Sequence, residues 1–446
     1  MSSVVFSRST VRTVLALPLF AAAALGVGLL LGSKDLEATR AATILTVLVA
    51  TSLVLFTRVA SRDPLGRALL VVLWLSFALK LGAMTYRFLG GLLADAFAYN
   101  NAGQRIAEEL ARGEWPQLGE YGTAYIRLLA GLVYYAFGVS FSGISILWTW
   151  LGMVGLLFFY LAFRMAFPLG HHRLYMLLIF LFPSMLLWTS SLGKDALMVL
   201  FLGMAAYGAA RLRHGLGLPA VGWLALGLLG MLPIRPHLAA VFAVALAASS
   251  LILPIRAGLL TPILRVAGIG VVAAVSVLIV STARGYVGLE ELGTEEVFAF
   301  IERQQEFTAR FGESGFQQVN PRSPVGVALA IPTVLFRPFP WEAHNANARL
   351  AAAEGFALLL LTLYRLRSVR AALGAVFRHS YVLMVVVYAL LFIFFFTAIG
   401  NFGIIARQRA QLFPFFFMLL AYLPPTPRRP AAARLQHRPP ATRTAP

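Results

Sequence analysis

The chain has 446 residues, of which 59% are hydrophobic and 12% charged, with a mean hydropathy of +0.80. Soluble domains are roughly 45–50% apolar, so an ordinary soluble domain is excluded. The formal charge of +19 does not point to nucleic acid, because the basic residues fall in short loops between apolar runs, which is the pattern that orients membrane helices.

Cysteine is absent, so disulfides and thiolate metal sites are excluded as well. Lysine occurs only at Lys34, Lys80 and Lys194. The heavy use of Arg, Ala, Leu, Gly and Pro is the composition of a GC-rich bacterial genome.

In chain order, the apolar runs predict an all-α polytopic membrane protein with about 12 transmembrane helices and two large outer-face segments. The spans fall at about 13–31, 41–57, 68–85, 142–163, 174–191, 195–210, 219–234, 238–255, 263–282, 346–364, 381–399 and 410–423. Thr13–Leu31 follows Arg8 and Arg12 and lacks a small-residue cleavage site, so it reads as an uncleaved first span. Several spans are shorter than the ~20 residues that cross a bilayer comfortably.

Residues 124–138 are apolar enough for a thirteenth span, but charge counting argues against one. With that run left on the outer surface, one side holds 20 Lys/Arg and a single acid, Asp63, and the other holds 17 basic residues and 17 acids. Both termini then read as cytoplasmic, in a bacterial inner membrane. The resulting division is three spans in 1–85, an outer loop with a juxtamembrane helix in 86–141 and a six-span core in 142–282. A second outer segment follows in 283–345, then three spans in 346–423 and a disordered basic tail in 424–446. In the second outer segment Phe298, Ile301 and Gln305 fall on one helical face, flanked by Glu302 and Arg303, which predicts an amphipathic helix or a solvated connector.

Ionisable residues near membrane depth are candidate functional groups, and here they gather at the outer side. Asp95 stands about ten residues past the third span, with Asn100, Asn101 and Arg105 following at roughly helical spacing. A carboxylate beside a low-dielectric surface suits a general base; the competing reading makes Asp95 the N-cap of a helix over 98–111. Glu108, Glu109 and Glu114 read as a solvated face.

"WTSSLGKDALMVL" sets Lys194 and Asp195 at the tip of a tight hairpin, where Asp195 is expected to cap the next helix. "LPIRPHLA" adds Arg235 and His237. "FRPFPWEAHNANARL" adds Arg337, Trp341, Glu342, His344, Asn345 and Arg349, and "GNFGIIARQRAQ" adds Arg407 and Arg409. Arginine binds phosphate bidentately and stays charged in a dry site. Arg407 and Arg409 are two apart, so they share no face of a helix, although in a loop both reach one phosphate. Lys80 lies six residues below Tyr86, about 9 Å, and can snorkel outward.

The run from Asp95 through "YGTAYIRLLAGLVYYAFGVS", "ILWTWLGMVGLLFFYLAFRMAF" and "LLIFLFPSMLLWTSSLGKDALMVLFLGMAAYGAARL" resembles the GT-C glycosyltransferases. These membrane enzymes take sugars from polyprenyl-phosphate donors. The likeness covers about residues 90–215. It departs from the family in having two spans before the signature loop, and in carrying Asp95-Ala96 where members often have paired acids, which puts a metal-assisted version in doubt.

The resemblance implies sugar transfer to a cell-envelope glycan or lipid acceptor on the outer face, with Asp95 as the base that activates the acceptor hydroxyl. It implies Lys194, Arg235, His237, Arg337, Arg407 and Arg409 as contacts for the donor phosphate and lipid-linked sugar. Asn100, Trp341, Glu342 and His344 would be acceptor or sugar contacts. No metal-ligand cluster is apparent and the sequence requires no cofactor, while a divalent metal stays open. The expected partners are the lipid bilayer, the polyprenyl-phosphate-linked sugar and the acceptor, with no nucleic acid.

Two other classes remain open. An O-antigen-type polysaccharide polymerase or ligase would rely on Arg303, Arg310 and Arg322 together with Arg407. A transporter or lipid flippase would need charges deep in the spans, where only Lys80 stands.

Overall fold

The computed structural model describes residues 35–117, 122–215, 217–252, 270, 294–310, 315–316, 319–320, 322–343 and 345–424. The expected spans at 13–31 and 263–282, His344 and the tail beyond 424 lie outside the described residues. Within them the protein is all-α.

Among the described residues, five helices are long and apolar enough to cross a membrane: α1 (Leu36–Ala60), α2 (Gly66–Leu89), α5 (Phe141–Ala166), α8 (Lys194–Leu212) and α13 (Ala346–Tyr364). Six shorter apolar helices run 10–17 residues: α4 (Thr123–Phe137), α6 (His172–Leu181), α9 (Leu218–Met231), α10 (Pro236–Ile252), α12 (Pro324–Phe336) and α15 (Ser380–Phe396). These fall below the ~20 residues of a comfortable crossing, so helix length alone does not reproduce a count of twelve. The remaining helices are α3 (Ala94–Ala111), α7 (Pro183–Leu187), α11 (Thr294–Ala309), α14 (Leu366–Gly374), α16 (Phe402–Gln408) and α17 (Phe413–Leu420).

The bundle centre is α5 against α8, and small residues let the two backbones touch. A Cβ on Gly155 would sit 2.6 Å from the Leu200 Cα, and one on Gly203 would sit 2.4 Å from the Gly155 carbonyl oxygen. Close approach through small residues is how helices associate where lipid supplies no hydrophobic drive. The run read as one span at 174–191 is broken into α6 and α7, because Pro183 removes a helical N–H and holds Phe182 in extended backbone. The turn at 188–193 then leads into α8.

The bundle has two ends. At one end, in the α1–α2 turn, Asp63 accepts from Tyr160 at 3.0 Å and pairs with Arg164. The opposite end carries α3 and α4. There Thr123 at the start of α4 accepts from Lys194 Nζ at 3.0 Å, and Val139 just past its end accepts from Arg40 at 2.9 Å. Both ends of α4 therefore touch the same end of the bundle, and the helix lies across it.

The segment at 283–345 holds two helices where its described residues allow a view. The amphipathic α11 buries Ile301 and donates from Gln305 Nε2 to the Thr397 carbonyl at 2.8 Å, while Thr308 Oγ1 accepts from the Gly400 N–H at 2.7 Å. It thus clamps the turn that leads into α16. The apolar α12 was not expected. Pro324 begins it and Pro332 interrupts it, so no long hydrophobic window announces it.

Candidate functional site

Four chain segments meet at the α3 end of the bundle. Helix α2 brings Arg87 in its last turn, α3 brings Asp95 in its first turn, α8 brings Asp195 in its first turn, and α16 brings Arg407 in its last. Acids in a first helical turn are favoured by the unpaired N–H groups there. Arg235 joins from the turn between α9 and α10.

Asp195 is the hub. Its Oδ1 accepts from Arg235 Nη2 at 3.0 Å and its Oδ2 accepts from Arg407 Nε. The same Arg407 donates from Nη1 to Asp95 Oδ2 at 2.6 Å. The Asp195 side chain is 4% exposed and that of Asp95 56%. One carboxylate is thus a buried anchor and the other reaches open space. The Asp195 charge, ahead of the opposing effect of burial, holds the Arg407 guanidinium above its ordinary value, so Arg407 keeps its charge at any workable pH. The expected N-cap role for Asp195 is corrected: Gly193 precedes α8 and no side chain caps it. The carboxylate turns instead to arginines 40 and 212 positions away.

A cavity of about 210 Å³ is bordered by Asp95, Asp195, Arg407, Arg87, Trp188 and Ser191. Arg87 is the cation that the sequence reading missed. It is 5% exposed, donates from Nη1 to Ser191 Oγ at 2.6 Å and lies 5.6 Å from the Trp188 ring centre. Its other bonds go to the Leu187 and Leu92 carbonyl oxygens, and its Nε is buried with no hydrogen-bond partner. No carboxylate pairs with it among the described residues. Three guanidiniums (Arg87, Arg235, Arg407), with the Lys194 ammonium beside them, therefore meet two carboxylates (Asp95, Asp195), which leaves the cluster net positive and Arg87 without an ion-pair partner. The available signal was local, an arginine one turn before the Gly90-Gly91 break that ends α2.

A second cavity of about 260 Å³ adjoins the first and shares Leu92 and Trp188 with it. Pro183, Leu187, Leu350, Phe402 and Ala406 give it a largely apolar lining, with Ser184 and Glu354 at its polar edge.

The other expected site residues do not converge on the first cavity. Lys194 is half-buried against Thr123 beside it. His237 is exposed in the first turn of α10. Asn100 is buried and accepts from the Tyr134 hydroxyl at 2.6 Å, which ties α3 to α4. Arg337 pairs with Glu342 and lies 4.6 Å from the Phe316 ring centre and 5.0 Å from that of Phe402. Trp341 is exposed and stacks on Phe339 at 4.9 Å.

Arg409 does not join Arg407 on one phosphate. The backbone stays helical through 402–411, so the two side chains diverge. Arg409 is 1% exposed and donates to the Arg337 carbonyl at 2.8 Å and to Glu354 at 3.4 Å. Of the arginines named for a polymerase, Arg322 is held by Glu295 and Glu302, and Arg303 and Arg310 are exposed on or just beyond α11. No group of three His, Asp or Glu suited to a metal occurs among the described residues.

Burial pushes the Glu342 carboxyl up, but its bonds from Arg337 and from the Phe339 N–H outweigh burial and hold it below the ordinary value. A depressed carboxyl stabilises the fold fully above its unfolded value, about 4.3, and that contribution is lost as pH falls through the lower folded value. Acidification below about pH 4 is therefore expected to release the Arg337–Trp341 segment, read as a tryptophan fluorescence change that is absent in Glu342→Gln.

Lys80 ties α2 to the end of α7. It is fully buried in α2, with Nζ donating to the Met185 carbonyl at 3.2 Å, the Thr189 carbonyl at 3.3 Å and the Thr189 hydroxyl. The last carbonyls of α7 have no helical partner, and Lys80 supplies donors just before the turn bearing Trp188 and Ser191. Met185 keeps the Thr189 hydroxyl as a donor, so Lys80→Met strips the Thr189 carbonyl of its donor and is expected to cost about 1–3 kcal/mol, checked by thermal unfolding in detergent.

Comparison with protein-family models, with curated proteins and with solved structures finds no match to the chain.

Proposed function

We propose that the protein is a membrane glycosyltransferase that moves a sugar from a polyprenyl-phosphate donor to an envelope glycan or lipid acceptor at the outer face. The observation that carries this reading is the uncompensated guanidinium of Arg87, facing the same cavity as the exposed carboxylate of Asp95. A leaving lipid phosphate needs fixed positive charge, and an acceptor hydroxyl needs a base. The adjoining apolar cavity gives the first isoprene units somewhere to lie beside the phosphate.

In the resting site Arg407 engages Asp95. An arriving donor phosphate offers Arg407 and Arg87 a competing set of acceptor oxygens, which frees Asp95 for the acceptor. The acceptor hydroxyl gives its proton to Asp95 as its oxygen bonds the anomeric carbon. The bond from that carbon to the phosphate oxygen breaks, and polyprenyl phosphate leaves with its charge held by Arg87 and Arg407. Stabilising developing charge in this preorganised way is commonly the largest part of such catalysis. Asp195 and Arg235 keep Arg407 aimed.

The test is reconstitution in proteoliposomes with a labelled polyprenyl-phosphate sugar and an acceptor glycan. Label passing into the glycan one residue at a time supports transfer. Incorporation only from a nucleotide sugar, or transfer of a preassembled chain, would overturn the reading.

A further inference from the structure

A separate polar cavity of about 150 Å³ lies between α3 and α4, with Arg105, Glu109, Gln117 and Arg127 among its lining. It shares no residue with the two cavities described above. Arg127 Nε is sealed from solvent and has no hydrogen-bond partner. Neither Arg105 nor Arg127 forms an ion pair among the described residues, and Glu109 bonds to neither of them. Buried polar atoms are ordinarily satisfied. Two guanidiniums, a carboxylate and a carboxamide thus border one cavity, with Arg105 and Gln117 open to solvent and Glu109 and Arg127 partly buried.

The chemistry of the lining selects the ligand class. Two guanidiniums bind a carboxylate in paired hydrogen bonds. Glu109 can only accept, so it needs hydroxyl donors, and Gln117 both donates and accepts. A phosphate alone would be repelled by Glu109 and would leave it without a donor. A sugar acid satisfies all four groups.

Position on α3 supports the same ligand. Asp95, Ala102 and Glu109 recur every seven residues and so share one stripe of the helix. Asp95 borders the first cavity, while Ala102 and Glu109 border this one. Arg105 stands ten residues from Asp95, about 15 Å along the axis.

We propose that this cavity is a subsite for an acidic sugar residue of the acceptor, binding its carboxylate through Arg105 and Arg127 and its hydroxyls through Glu109 and Gln117. The assignment rests on reading the Asp95 cavity as a glycosyl-transfer site, and it specifies the acceptor as a glycan with uronic-acid character.

The test uses the full chain in nanodiscs, titrated with tetragalacturonate and with neutral maltotetraose. The wild type is expected to bind the acidic oligosaccharide and not the neutral one. The Arg105→Gln/Arg127→Gln double variant should bind it at least about tenfold more weakly. Equal binding by wild type and variant, or equal binding of the two oligosaccharides, overturns the subsite. So does the double variant instead losing affinity for phosphatidylglycerol nanodiscs with no oligosaccharide bound, since that makes the cavity a lipid headgroup site. Binding is read without turnover, so an acidic subsite with no sugar transfer would overturn only the transferase reading. Transfer with no acid selectivity would overturn only the subsite.

Discussion

Asp95→Asn is expected to lower sugar transfer by about 10²–10⁴-fold, the range for losing a positioned general base, while the protein stays folded and inserted. The amide keeps the shape of the carboxylate and can still accept from Arg407 through its oxygen. It cannot take the acceptor's proton. Little stability is at stake, because the Asp95 side chain is 56% exposed and exposed ion pairs contribute about 1 kcal/mol or less. Arg407 also keeps its bond to Asp195, so the cavity wall holds. The measurement is labelled-sugar transfer in proteoliposomes beside a thermal unfolding curve of the same preparation. Full transfer by Asp95→Asn would remove Asp95 from the chemistry.

The second large effect is expected at the neighbouring carboxylate and has the opposite character. Asp195→Ala strands Arg235, which is 7% exposed and whose Nη1 already lacks a partner. Removing one member of a buried pair costs about 3–5 kcal/mol, because the other charge remains without compensation. The variant should lose stability before it loses anything specific to catalysis. Replacing both charges, as Asp195→Ala with Arg235→Met, should recover part of that loss, since an apolar pair of similar volume carries no desolvation penalty. If the double variant is less stable than Asp195→Ala alone, Asp195 and Arg235 are not the pair that organises this end of the bundle.

The contrast between these two acids measures how far sequence reaches. Asp95 could be picked out because it follows an apolar run and precedes a helical pattern, and both signals are local. Asp195 had an equally local reading as a helix cap, and that reading failed. Its partners come from turns far along the chain, and no pattern within α8 encodes them. An arginine at the end of an apolar helix ordinarily snorkels to the interface, and the meeting of Arg87 with Ser191 and Trp188 exists only once α2 packs on the α7–α8 turn. The pairing of Arg407 with both acids depends on tertiary assembly in the same way.

Fold features with a local cause were easier to read. The amphipathic face of α11 with Ile301 inward is a periodic pattern, and the long apolar runs of α1, α2, α5, α8 and α13 are legible by hydropathy. The helix α12 and the break at Pro183 mark the limit, since prolines divide a hydrophobic run without showing whether the chain turns or continues. Lys80 illustrates the same limit for charge. Its position suggested snorkelling, yet its ammonium turns inward to the carbonyls of Met185 and Thr189.

The central claim is that the Asp95 cavity receives a lipid phosphate on Arg87. Native mass spectrometry of the protein in nanodiscs, titrated with polyprenyl monophosphate, tests it without requiring turnover. The wild type is predicted to bind one lipid. Arg87→Gln is predicted to bind about 10–100-fold more weakly, the loss expected for one or two charge-assisted hydrogen bonds. Arg303→Gln, on the exposed face of α11, should bind as the wild type does. Undiminished binding by Arg87→Gln would contradict the account.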